Sequence, residues 1–279
     1  MAGFFGLFDY TKPGRGISEN EPPKPRIVVF FEIYLRKFWK LGGLNILYFL
    51  FNLPAILFSI IFVSNVFLSK TMSANDPNGV GLRLILGFIL VSIPVITFGP
   101  VQAGFTYVLR NYAREEHAWI WYDFRVQAMK NFKQSMLISF FDLIATIIVG
   151  IAINTYAHMG NSIMVVLANA FVIMVFIIFI MMHMYIYPIM VTFNLSIRNI
   201  YKNSLLFVMM RFLPTLGIFL ICVIIVAVPL FFQVGLLLMP FITLSTVGLI
   251  TNFFIYPTIK KHMIDTFENQ KEIVEFEEK

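Results

Sequence analysis

Asp142 and His183 carry the chemistry most at odds with their surroundings. Asp142 is the only acidic residue inside a predicted membrane span, and an ionised carboxylate in hydrocarbon is costly enough that it normally has a partner or a function. It lies about two helical turns beyond Lys133, a depth that also suits a structural role near the interface. His183 sits within Met181-Met182-His183-Met184, where an imidazole can carry a proton or simply hydrogen-bond in the packing. No second ligand stands three or four residues away, and the four histidines show no metal-ligand spacing, so no metal or other cofactor is expected. Cys222 is the sole cysteine, so no internal disulfide can form. Nucleophile elbow, Walker lysine and paired carboxylates are all missing from the sequence, and Glu115-Glu116-His117 beside Arg114 reads as a solvated turn. The expectation is a protein that is not an enzyme.

These residues must be positioned by membrane helices. Of 279 residues, 59% are hydrophobic and 13% charged, with mean hydropathy +0.82; a soluble fold carries about 25% charged residues. A span needs about 20 apolar residues. Uncharged stretches separate Lys40 from Lys70 and Arg83 from Arg110, and the 55 residues Leu143–Ile197 and 48 residues Phe212–Ile259 each suffice for two spans. The chain therefore predicts an all-α polytopic bundle of six transmembrane helices, near 43–68, 82–109, 134–157, 163–194, 212–232 and 236–257. Turns are expected at His158–Ser162 and at Gln233-Val234-Gly235. Nineteen of the 21 Lys and Arg fall in 1–40, 110–133, 195–211 and the tail from 258, which predicts a multi-pass cell-membrane protein with both termini cytoplasmic. The net charge of +6 follows from that anchoring, and no nucleic-acid partner is expected.

The predicted organisation is a cytoplasmic arm (1–40), a six-helix transmembrane domain (41–257) with cytoplasmic loops 110–133 and 195–211, and a cytoplasmic tail (258–279). Within the arm, Arg26–Lys40 mixes basic and aromatic residues and is expected to lie in the headgroup region, as an anchor or as a docking surface. Segment 110–133 holds Trp119, Trp121 and Tyr122, which suit an interface belt, and Asp123 is placed to cap a helix bearing Phe124, Ala128 and Phe132 on one face. Such a helix can sit on the membrane or fill a partner's groove. The partner-docking candidates are accordingly Trp119, Trp121, Tyr122, Phe124, Phe132, Arg110 and Arg114.

A weak repeat relates Pro100, Phe105, Leu109, Arg110, Asn111 and Arg114 to Pro188, Phe193, Ile197, Arg198, Asn199 and Lys202. Three out-and-back hairpins in a parallel repeat would produce it; so would chance in apolar sequence.

Gly99-Pro100-Val101-Gln102-Ala103-Gly104, Tyr107–Asn111, Ala113–Glu116, Trp121–Phe124 and Lys130–Gln134, with the weaker Leu44–Leu47 and Leu53-Pro54 upstream, resemble the YesL-like family of Gram-positive bacterial membrane proteins, a family of unknown function. Members are often encoded beside carbohydrate-uptake genes, so the resemblance implies an accessory subunit bound to membrane lipid and to permease subunits of an ATP-driven carbohydrate (ABC) importer. The alternative is an autonomous small-solute transporter or channel with Asp142, His183 and the span prolines along its path. A membrane enzyme acting on lipid or carrier-linked sugar is the third and weakest reading.

Overall fold

The computed structural model describes residues 24–67, 98–159, 162–232, 235 and 239–266. Among these, every regular element is a helix: α1 (Arg26–Phe67), α2 (98–113), α3 (Ile120–Lys130), α4 (Phe132–His158), α5 (Ile163–Met190), α6 (Ile197–Met210), α7 (Phe212–Leu230) and α8 (Leu244–Ile259), the last flanked by π-helical turns Met239–Thr243 and Lys260–Ile264. Five helical stretches are long and apolar enough to cross a membrane: Arg26–Leu57, Phe132–Ile153, Ile163–Met190, Phe212–Pro229 and Pro240–Ile264. Of the expected span 82–109, residues 82–97 lie outside the described residues, as do most of arm 1–40, loop 69–81 and the tail beyond Thr266.

The inner helices α2, α5 and α8 run in one sense. Leu109 lies over Gly248, and Arg114 stacks on the Tyr256 ring at 4.4 Å, so α2 and α8 advance together. The α3–α4 pair runs back along α2, where a Cβ on Gly104 would strike the Phe124 carbonyl and one on Gly99 the Ser135 carbonyl. Glycine permits these two backbone contacts, as small residues do between membrane helices. Helix α4 then runs against α5, which restores the direction of α2.

Each outer helix divides its packing between two inner ones. Phe124 of α3 rests on α2 while α4 pairs with α5. Phe207 of α6 meets Tyr185 of α5 while α7 pairs with α8 through Cys222 and Thr251. Helix α1 closes the ring: Arg26 donates to the Phe253 carbonyl of α8 (2.7 Å), Tyr34 bonds Thr246 (3.1 Å), and Tyr48 packs on Phe105 of α2. The π turn before α8 breaks the regular ladder, and Asn45 Oδ1 accepts the Ser245 N–H at 2.6 Å, a group that lipid cannot satisfy.

Three expectations need correction. Arg26–Lys40 is not a separate interfacial helix but the opening of a continuous 42-residue helix. Gly42, Gly43 and Pro54 lie within it without ending it, and a Cβ added at Gly42 would stand 3.6 Å from the Phe241 carbonyl in the π turn before α8. At 1.5 Å per residue α1 is about 63 Å long, twice the hydrocarbon thickness. Second, loop 195–211 folds into α6, which buries Ile200, Ser204, Phe207 and Val208 at helical spacing against the inner helices. Third, the quoted repeat motif falls at unlike helix positions. Arg110 sits in the last turn of α2 but Arg198 is the second residue of α6, so the quoted motif does not superpose. Burial recurs instead at Ile33/Phe124/Ser204 and Leu44/Ser135/Thr215 on the outer helices, and at Val108/Tyr185/Thr258 and Leu109/Ile186/Ile259 on the inner ones, none more than 6% exposed.

The turn between α2 and α3 is also unusual. Glu116 N–H bonds Asn111 O and Glu115 N–H bonds Tyr112 O, the Schellman pattern, with Glu115 at φ 61° where glycine is usual. Arg36 of α1 pairs with the Glu115 carboxylate across this turn.

Gly104→Val should destabilise the protein by about 1–3 kcal/mol, because the new side chain meets α3 backbone. Gly217→Ala, where a Cβ meets nothing within 4 Å, should be neutral or stabilising by up to about 1 kcal/mol. Thermal unfolding in detergent measures both, and a Gly104→Val protein as stable as the parent would refute the close approach of α2 and α3.

Candidate functional site

Asp142 and His183, separated by 41 positions in sequence, are hydrogen-bonded in the structure. Asp142 belongs to α4 and His183 to α5, and the Oδ1 to Nε2 distance is 2.7 Å. The other ring nitrogen, Nδ1, lies 2.9 Å from the Phe179 carbonyl oxygen, one turn back on α5. A carbonyl accepts only, so Nδ1 carries hydrogen and donates. A neutral imidazole would then present a bare lone pair to an ionised carboxylate, two acceptors in contact. The geometry therefore requires a proton between Nε2 and Oδ1, on the ring or on the acid. Phe179 packs edge-on against the imidazole, 4.9 Å between centroids, and fixes its plane.

Around the pair, Tyr201 of α6 stands close enough to Asp142 that burial first, and the carboxylate second, raise its phenol above the usual range. Its hydroxyl is buried and has no hydrogen-bond partner. On the opposite side His183 forms part of the wall of a cavity of about 560 Å³ bounded by α1, α2, α5, α7 and α8. Helix α5 explains its position. Residues Met184–Met190 are all buried, whereas Ile163–Ile180 are exposed or half-buried, so tight packing occupies one end of the inner helices and the cavity lies where it loosens.

Polar groups reach the cavity from three inner helices: Gln102 and Thr106 on α2, His183 and Tyr187 on α5, Thr251 and Asn252 on α8. The sequence had singled out only His183 among them. Gln102 and Thr106 share a face at helical spacing, and Thr251-Asn252 follows an apolar run, but isolated neutral residues like these are common helix–helix glue, so their convergence was not legible in one sequence.

The docking candidates separate into two groups. Trp119, Trp121 and Tyr122 are 68%, 57% and 65% exposed on the outer side of α3. Phe124 is 2% exposed, wedged against Gly104 and 5.6 Å from the Phe51 ring, and is unavailable to a partner. Phe132 is half-buried at the start of α4. Arg110 is also committed: it donates to the Val191 carbonyl (3.0 Å) and the Thr192 hydroxyl (3.1 Å), capping the end of α5, and to Asn111 Oδ1. Arg114 lies over Tyr256. The seven residues thus do not form one docking surface. Asp123 does not act as the expected N-cap either; from within α3 its carboxylate accepts the Trp119 N–H at 2.7 Å. No group of three or more His, Cys, Asp or Glu suited to a metal ion occurs among the described residues.

Residues 41–154 match a family profile described as "Protein of unknown function, DUF624". That segment holds the second half of α1, α2, α3 and most of α4, including Asp142 but not His183. No curated protein matches the chain. No solved structure matches it either.

Because His183 and Asp142 satisfy each other, removing one strands the other in an apolar setting. His183→Leu and Asp142→Leu should each destabilise the protein, and the double variant should lose less than the two losses combined, with a coupling on the order of 1–2 kcal/mol given the partial exposure of both groups. Additive losses in thermal unfolding would argue that the pair is not formed.

Proposed function

We propose that this protein is a non-catalytic integral membrane subunit that packs laterally against other membrane proteins, and that its partners are the permease subunits of an ATP-driven carbohydrate importer, whose assembly, stability or regulation it assists. The observation that carries the proposal is the outer edge of α3. Trp121 and Tyr122 of α3, and Trp119 just before it, are largely exposed there beside buried Phe124. Rigid aromatic anchors with two side-chain torsions lose little entropy on docking, which is why such residues dominate interface energies. The importer as partner rests on the resemblance of residues 99–135 to YesL-like proteins. The charge distribution supports six spans in the cell membrane with both termini cytoplasmic, which puts the α2–α3 turn and α3 on the cytoplasmic side.

A second reading, an autonomous small-solute transporter or channel, is favoured by one observation: His183, which shares a proton with Asp142, forms part of the cavity wall. Under that reading, vesicles containing only this protein should show solute flux, and Asp142→Asn should reduce it at least about tenfold, the scale of a lost charge-assisted hydrogen bond.

The leading proposal is tested by mild purification of the tagged protein from its native membrane and mass spectrometry of what accompanies it. Permease subunits should co-purify at fixed stoichiometry, and replacing Trp119, Trp121 and Tyr122 together by alanine should release them without lowering the melting temperature of the isolated protein. Permeases that stay bound to the triple variant would refute the α3 docking edge; isolation of the protein alone across several mild detergents would refute the subunit role.

A further inference from the structure

The central cavity has a chemistry that neither reading above assigns. Its described lining includes no Lys, Arg, Asp or Glu. The His183 imidazole in its wall has both nitrogens occupied, by Asp142 and by the Phe179 carbonyl. A charged ligand would therefore lose its hydration without gaining a counter-charge, a cost of several kcal/mol or more on general grounds, and the site selects a neutral molecule.

Its polar lining comes from α1, α2, α5 and α8. Gln102 and Thr106 project from adjacent turns of α2, with Tyr48 of α1 beside them. Asn252 of α8 donates its amide to the Gly248 carbonyl at 2.8 Å and leaves Oδ1 buried without a partner, although the residue is only 4% exposed. The α7 wall is apolar, built from Phe219, Val223, Val226 and Ala227. Buried polar groups normally find partners, so polar groups on α1, α2 and α8 facing an apolar α7 wall describe the occupant: a hydrogen-bonding head and a hydrocarbon body.

We infer that the cavity is a binding site for a neutral single-chain amphiphile of the long-chain alcohol class, its hydroxyl among Tyr48, Gln102 and Thr106 and its chain along α7. The hydroxyl both donates and accepts, so it can satisfy the Gln102 amide and an adjacent hydroxyl together. A free sugar has polar groups around its whole rim and would leave most of them unpaired against the α7 wall.

The test uses the full chain in phosphatidylcholine vesicles with a diazirine-bearing decanol as photoprobe, the sites of insertion being mapped by mass spectrometry. Labels should fall on the cavity-lining residues of α7 and α8 and be displaced by decanol much more effectively than by decane. Gln102→Leu should weaken displacement by decanol about fivefold, the loss of one hydrogen bond. Val226→Trp, which fills the cavity from the apolar side, should abolish the cavity labels and leave those on the exposed faces of α4. The inference is overturned if labels appear only on lipid-facing positions, if decane and decanol compete equally and Gln102→Leu changes nothing, or if glucose displaces the probe. The decane comparison needs no variant, so misfolding of either substituted protein does not blunt the result.

Discussion

The ring of helices depends on α1 reaching two neighbours at once. Its first half lies along α8 through Arg26, Phe30 and Tyr34, and its second half reaches α2 through Tyr48. Without that span of contacts the outer helices would decorate a row of inner helices and leave both ends open. The other outer segments follow the same rule more locally: α3 then α4, and α6 then α7, each pass from one inner helix to the next with a break at Asn131 or Arg211. In α1 the corresponding passage is made within one continuous helix, through Gly42-Gly43 and past Pro54. Between helices in lipid there is little hydrophobic drive, so fit and polar pairing must supply the specificity. Gly99 and Gly104 provide the fit at α2, and Asn45 on Ser245 provides a polar lock at α8.

The same economy accounts for the polar centre. Asp142 and His183 are tolerable in an apolar protein because they close each other's hydrogen-bonding requirements, with the Phe179 carbonyl completing the set. Arg110 behaves similarly about two turns further on, at the C-terminal end of α5, spending its donors on the Val191 carbonyl, the Thr192 hydroxyl and the Asn111 side-chain oxygen. Both arrangements pair strong polar groups across contacts between helices. They also explain why the residues that look most reactive in the sequence are not the ones with free hydrogen-bonding capacity. That capacity lies with uncharged residues such as Gln102, Thr106 and Asn252.

The spans that gaps between charges define were readable, and the helices at Phe132–His158, Ile163–Met190 and Phe212–Leu230 begin and end close to the expected positions. What hydropathy does not encode is continuity. Lys40 looks like a boundary because it is charged, yet a helix ladder is indifferent to charge and continues through it. Helix α6 was hidden for the converse reason: its buried face of Ile200, Ser204 and Phe207 is short and lies between basic residues that read as a loop. Asp142 and His183 were each conspicuous, but their pairing depends on the registry of α4 against α5, which no local pattern specifies. The prolines and arginines of the quoted motif mark no matching positions, and buried positions on the outer helices are held by residues as unlike as Ile33, Phe124 and Ser204.

The contact between Arg26 and Phe253 has a further consequence in time. Its two partners are 227 residues apart, so α1 leaves the ribosome long before the helix it must pack on. At common synthesis rates that interval is roughly 10–45 s, far longer than a membrane helix needs to form. During it, Asn45 has no Ser245 to meet, and the aromatic face of Phe30 and Tyr34 has only lipid for company. The nascent protein is therefore a chain of hairpins with an unclaimed leading edge, open to any factor that shields polar points in hydrocarbon. The last helix to emerge ends that window and turns the open series into a ring.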